Sequence, residues 1–275
     1  MKKTALITGG TGGLGLATAR FLVEKGWQVY AADANQAALD SLDSPGITPL
    51  FMDVTQTESV QKAYDTISAD IDCLDAVINF AGILRVGSMA EMEEQTLETL
   101  MQINVMGTFR VNRAFFPLLN KPGADGRKGR IVNISSETGW QSGHPFNGAY
   151  AMSKHAIEGY SDSLRREMMM VDVPVIKIQP GPFKTNMVAS IEANFQQAAD
   201  KSELFSKQLL NARSVAINEN KKANDPRIIS ETIFQALTVN KPKAAYSVKP
   251  DLVRTLLEYL PTRWVDPLMK AGLSK

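Results

Sequence analysis

Short apolar runs alternate with longer stretches in which apolar residues recur every three to four positions. The runs Thr4–Thr8, Gln28–Asp33, Ile47–Asp53, Ala76–Phe80, Arg130–Ser135, Val173–Gln179 and Ala244–Val248 predict seven strands. Helical stretches are predicted to begin near Gly13, Gln36, Thr57, Glu94, Gly148 and Pro226. This alternation predicts one α/β domain built on a doubly wound, predominantly parallel sheet with helices on both faces. A strand such as Arg130-Ile131-Val132-Asn133-Ile134 is too apolar for a wet face and fits a sheet covered on both sides.

Two regions leave the pattern. Lys184–Asn224 has no strand signal but shows helical periodicity at Val188–Ala199 and Leu204–Val215. It carries Met187, Val188, Ile191, Phe195, Leu204, Phe205, Leu209 and Leu210, which at helical spacing either pack onto the body or line a pocket. Pro250–Lys275 forms a C-terminal extension with apolar residues from Leu252 to Met269. That tail packs on the domain, makes an oligomer contact (dimer or tetramer), or rests on a membrane surface. Its basic residues Arg254, Arg263 and Lys270 are mixed with acids, so membrane attraction should be weak.

Composition changes this picture little. The 275 residues are 44% hydrophobic and 21% charged, enough for a large core without a disulfide or metal staple. A net charge of +1, with both signs interspersed, offers no footprint for nucleic acid. Cys73 is the single cysteine, and a buried structural thiol is its expected role. The basic start Met1-Lys2-Lys3 leads into an apolar run that Gly9 and Gly10 interrupt, so it reads as a strand rather than a signal peptide. The default compartment is cytoplasmic. His144 and His155 belong to no metal-ligand cluster, and no metal site is expected. His144, in the loop before Tyr150, is a candidate for substrate contact.

Candidate chemistry begins where the first strand ends. Thr8-Gly9-Gly10-Thr11-Gly12-Gly13-Leu14-Gly15 lies between a strand and a helix. Glycines there let a pyrophosphate approach the free N–H groups and positive dipole of a helix N-terminus, as in a Rossmann-type nucleotide site. Asp33 closes the second strand at the spacing expected of an acid that accepts from the adenosine ribose. A carboxylate there repels a 2′-phosphate, and no Lys or Arg stands at Ala34 or Asn35, so NAD is favoured over NADP. Asp33 can also cap a turn.

Tyr150-Ala151-Met152-Ser153-Lys154 opens a helical stretch, and residues four apart share a helix face. A phenol titrates near ~10, and a neighbouring ammonium should favour phenolate. Such a pair can take or give a hydroxyl proton while hydride moves. Alone, the pair is an ordinary helix feature.

Its company changes that, because the sequence resembles the short-chain dehydrogenase/reductase family over nearly the whole chain. The pattern is closest to the steroid- and retinol-dehydrogenase-like branch and its bacterial relatives. Thr8, Gly9, Gly13, Leu14 and Gly15 fall in a loop similar to the family's T-G-x-x-x-G-x-G. Asp53 and Val54 match its adenine position, and Asn79-Phe80-Ala81-Gly82 resembles its N-N-A-G turn, with Phe80 in place of an asparagine. Pro180-Gly181-Pro182-Phe183-Lys184-Thr185 matches P-G-x-x-x-T. The resemblance implies cofactor contacts from Asn79, Ala81, Gly82, Pro180, Gly181 and Thr185, together with Tyr150 and Lys154.

For catalysis it implies Asn104, Ser136, Tyr150 and Lys154, with Asn104 supporting a water relay to the lysine. Ser136 best matches the serine that binds the substrate oxygen, and Ser135 is the alternative. The segment 184–224 takes the position of a substrate-binding lid. The implied activity is hydride transfer between a nicotinamide cofactor and a partly apolar secondary alcohol or ketone. Two rival readings are an NAD-using epimerase or dehydratase and an NAD(H)-binding regulator without turnover.

Overall fold

A computed structural model describes residues 2–185, 190–221 and 223–274. Seven strands are β1 (Thr4–Thr8), β2 (Gln28–Asp33), β3 (Ile47–Phe51), β4 (Ala76–Asn79), β5 (Arg130–Ile134), β6 (Val175–Pro180) and β7 (Ala245–Val248). They form one sheet in the order β3-β2-β1-β4-β5-β6-β7, and every neighbouring pair is parallel. Strand order reverses between β1 and β4, the place where doubly wound sheets open a crevice at their C-terminal ends.

Alternation along each strand explains the two cores. Ala5, Ile7, Val29, Ala31, Ile78, Val132 and Ile176 point to one face. There they meet α1 (Gly13–Glu24) through Ala19 and Leu22, and helix Arg227–Thr238 through Ile229, Ile233 and Ala236. Leu6, Tyr30, Val77, Ile131 and Val175 point the other way, onto α3 (Thr57–Asp70) and α5 (Thr108–Leu119). Both faces are covered, so the strands are apolar on both sides. Asp53 lies just past β3 rather than within it, because pairing with β2 ends at Phe51.

The stretch expected as one helix from Glu94 is three pieces. α4 (Glu94–Met101) runs into a π-helical segment, Gln102–Gly107, and then into α5. A one-residue insertion of this kind widens the turn and reorients the helix beyond it. α2 (Gln36–Asp40) is short, and α6 (Gly148–Met168) buries Ser153, Lys154, Ile157 and Ser161 along one stripe.

The segment 184–224 contains α7 (Ile191–Lys201) and α8 (Ser206–Asn220), which share an apolar cluster of Phe195, Ala199, Leu209 and Ala212. Met187 and Val188 lie outside the described residues. The segment's two ends are joined: Lys184 N donates to Asn224 O and Asn224 N to Pro182 O, both at 3.0 Å. Arg227–Thr238 is α9. The tail forms α10 (Leu252–Leu257) and α11 (Thr262–Leu273), neither with a buried residue. Packing on the domain is therefore shallow, and Asn211 Nδ2 to Leu273 O (2.9 Å) ties its end to α8. Among the described residues no helix is long and apolar enough to cross a membrane.

Candidate active site

A cavity of about 1110 Å³ opens at the C-terminal ends of the strands. At one end the chain leaves β1 and turns sharply into α1. Gly9 sits at φ +63°, a left-handed conformation that favours glycine. A Cβ on Gly15 would stand 2.1 Å from Gly9 O, so the turn could not close with any larger residue. Gly12 caps α1 without a side-chain hydrogen bond. Free N–H groups of the first turn thus face the cavity wall made by Gly9, Gly12, Gly13, Leu14 and Gly15.

Asp33, Asp53, Val54, Ala81 and Gly82 continue this wall. The Asp33 carboxylate accepts from Thr11 Oγ1 at 2.6 Å and from Asn35 N at 3.1 Å. An ionised carboxylate has about four acceptor positions, so room remains for a ribose hydroxyl. Asp53 is held by Thr55 N and Oγ1, both at 2.8 Å. Pro180, Gly181 and Thr185 close over the loop, with Thr185 Cβ 3.2 Å from where a Cβ on Gly13 would lie. Donor helix end, carboxylate and glycine cradle together fit a dinucleotide.

The reaction end is built by β5 and α6. Lys154 and Tyr150 lie one turn apart, with the Lys154 Nζ 5.5 Å from the Tyr150 ring centre. Nζ donates to Ile134 O at 2.9 Å, which anchors α6 to the end of β5. Ser136 acts on the Tyr150 hydroxyl and favours its ionised form, whereas the buried Ser135 hydroxyl has no hydrogen-bond partner among the described residues. Both serines line the cavity, but the contact with Tyr150 belongs to Ser136.

The electrostatics differ from expectation. Burial pushes the Tyr150 phenol up to about 12, against a smaller opposing effect of the Ser136 hydrogen bond. Burial also pushes the Lys154 ammonium down to about 8, opposed by the Glu158 charge. Loss of water therefore dominates, and the expected lowering of Tyr150 by Lys154 is not among the effects on the phenol.

Three expected residues stand off the cavity. Thr8 turns its hydroxyl to accept from Ala81 N at 3.1 Å and so fastens the β1 and β4 ends together. Asn79 shares the α5 side of β4 with Val77, donating to Asn112 Oδ1 (2.7 Å) and Asn133 Oδ1 (3.0 Å) in the core. Asn104, on the π-helical segment, accepts from Ile83 N (2.8 Å) and donates to Ile83 O (3.0 Å) and Ser153 Oγ (3.1 Å). Its amide hydrogens are both used, so the side chain clamps the β4 turn to α6.

The far half of the cavity was not visible in the motifs. Leu84, Val86, Phe195, Val215, Leu257 and Met269 give it an apolar lining drawn from the β4 loop, segment 184–224 and the tail. One polar knot interrupts it. Arg254 Nη2 lies 2.9 Å from Glu219, and Nη1 lies 3.8 Å from the buried Glu137. Glu137 also accepts from Asp251 N at 2.6 Å, and burial raises its carboxyl. Partners 35 and 114 residues apart leave no local signal. His144 lines the cavity as well, and burial lowers it to about 4, so it is neutral at pH 7. His155 Nδ1 lies 2.9 Å from Ala151 O on its own helix.

Comparison with known proteins gives a match over residues 3–196 to the family model for short chain dehydrogenases. A probable short-chain type dehydrogenase/reductase of Helicobacter pylori, VdlC, is 30% identical, with 97% of this chain and 96% of that protein covered. Retinol dehydrogenase 16 of Mus musculus is 32% identical, covering 97% of this chain and 87% of that protein. A solved short-chain dehydrogenase from Streptomyces avermitilis superposes with a TM-score of 0.77 at 25% identity, covering 100% of this chain and 97% of that one.

Proposed function

The chain belongs to the short-chain dehydrogenase family, in its retinol-dehydrogenase-like branch, and from that premise we propose that it exchanges hydride between NAD(H) and a partly apolar secondary alcohol or ketone. One observation carries this reading: Ser136, Tyr150 and Lys154 converge on a cavity whose opposite end is the glycine cradle. When bound, the nicotinamide supplies or accepts the hydride.

Tyr150 handles the proton. At neutral pH its phenol is protonated, the form that donates to a carbonyl oxygen during reduction. For oxidation the phenol must first lose that proton, and Ser136 favours the phenolate by donating to it. Ser136 also orients the substrate oxygen. Lys154, which lines the cavity, would hold the nicotinamide ribose, and Asn104 holds the β4 turn against α6. Asp33 favours NAD, since a carboxylate at the end of β2 would repel a 2′-phosphate and neither Ala34 nor Asn35 is a cation. The apolar far half favours a substrate larger than a simple alcohol.

A panel of secondary alcohols, steroids, retinoids and keto acids, followed by NADH absorbance with NAD⁺ and NADP⁺ in parallel, tests this. Tyr150→Phe should lower kcat by roughly 10²–10⁴-fold with NADH affinity nearly unchanged, as expected for loss of a general acid–base group. Ordinary turnover by that variant would sink the assignment. Tight NADH binding without turnover on any substrate would favour the regulator.

A further inference from the structure

β6 is buried along its whole length, yet it carries Lys177 and Gln179. Both alternate with Ile176 and Ile178, which face α1, so they point to the side of α6. A lysine in that place needs anions, and α6 supplies two. Lys177 Nζ lies 2.7 Å from Glu158 Oε2 and 2.9 Å from Asp162 Oδ1. Gln179 Nε2 donates to Glu158 Oε1 at 3.0 Å, so both oxygens of Glu158 are held from β6.

The charges do not balance within this group. Glu158 and Asp162 bring two negative charges, and Lys177 brings one positive. The missing cation is on the same helix. Tyr150, Lys154, Glu158 and Asp162 stand four residues apart, so Lys154 is one turn from Glu158 just as it is from Tyr150. Steps of four drift slowly around a helix, and the line leads outwards: the Glu158 side chain is 13% exposed and that of Asp162 39%. The turn after Ser136 covers the inner part. A Cβ on Gly139 would stand 3.0 Å from Lys154 O and 3.2 Å from Glu158 Cγ. Under such close cover the two charges are little screened by solvent.

Other charged groups beside α6 are engaged or turned away. Glu137, from that turn, is taken by Asp251 N and Arg254. Glu94 and Glu98 of α4 are exposed and share a surface depression with Met152. The π-helical segment carries no charge. Lys154 itself donates to the neutral Ile134 O, and the Glu158 charge opposes the effect of burial on it.

We propose that Glu158 is a positioning residue: held by Lys177 and Gln179, it is the counter-charge that keeps the buried Lys154 in its ammonium form. The proposal rests on placing Lys154 in the reaction site, but it is tested without substrate or cofactor, so its outcome does not depend on turnover. Full-length protein carrying carbon-13 at the lysine Cε positions is titrated by NMR. The Lys154 signal is identified by its loss in Lys154→Met.

Wild type should show a midpoint at about 8. Glu158→Gln, of the same shape without the charge, should lower the midpoint by about one pH unit, a roughly tenfold loss of proton affinity. Glu158→Asp should return it to within roughly twofold of wild type. Asp162→Asn removes a charge two turns from Lys154 and should lower the affinity by only about twofold. A role confined to pinning α6 on β6 would move stability and leave every midpoint where it is. An unchanged midpoint in Glu158→Gln, or an equal fall in Asp162→Asn, overturns the proposal. Should Glu158→Gln fold poorly, Asp162→Asn must still lower the midpoint, and no shift there overturns it as well.

Discussion

Replacing Lys154 with methionine should change how stability depends on pH in the protein free of cofactor. The ammonium is buried and titrates near 8, against 10.5 in an unhindered lysine. Below about pH 8 both folded and unfolded chains carry the proton, and the folded state bears the whole cost of a buried charge. At about 1.4 kcal/mol for each pH unit separating the two values, that cost is about 3 kcal/mol. Between about pH 8 and 10.5 the unfolded chain binds more protons, so wild-type stability gains as pH rises. Methionine has a similar shape and no such dependence.

The variant also loses the bond to Ile134 O, but that loss changes little with pH. Comparing the two proteins at about pH 7 and pH 9.5 therefore isolates the charge. Wild type should gain about 2 kcal/mol relative to Lys154→Met over that interval. In thermal melts this is roughly 4 °C or more of relative shift for a chain of this size. Tyr150 titrates above this window in the folded state, and its unfolded contribution is common to both proteins. A stability difference that stays constant from pH 7 to 9.5 would refute the burial argument.

Asp33→Ala should lower the preference for NAD over NADP by roughly tenfold or more, about 1.4 kcal/mol, read as the ratio of the two kcat/KM values. An unchanged ratio would remove Asp33 from cofactor selection. Asn104→Ala removes the partners of both Ile83 backbone groups and one of the two partners of Ser153 Oγ, which should cost about 2 kcal/mol in a urea titration. A midpoint equal to wild type would show that the clamp is dispensable.

The sequence was most informative where local chemistry is decisive. Apolar runs located all seven strands, because strands covered on both faces stay apolar on both sides. Gly9 and Gly15 were legible since the first needs a left-handed backbone and the second has no room for a Cβ. Motif position predicted less well which way a side chain points. Asn79 was expected at the cofactor, yet alternation along β4 already places it with Val77 on the α5 side. The π-helical segment carrying Asn104 has no composition of its own, so one helix was expected in place of three pieces. The lining from Leu257 and Met269, and the Glu137–Arg254–Glu219 knot, depend on contacts between distant segments that no local pattern records.

The joined ends of segment 184–224 have a consequence for how such a protein can change. Lys184 and Asn224 are neighbours through backbone bonds that require no particular side chain. The intervening chain leaves and returns at one point, like a cassette in a fixed socket. Doubling the length of such an excursion costs only about 0.6 kcal/mol of closure entropy. Inserts of other lengths and sequences could therefore be exchanged there with Ser136, Tyr150 and Lys154 undisturbed. On the proposed function, substrate choice can drift on this segment while the end that carries Tyr150 is inherited intact.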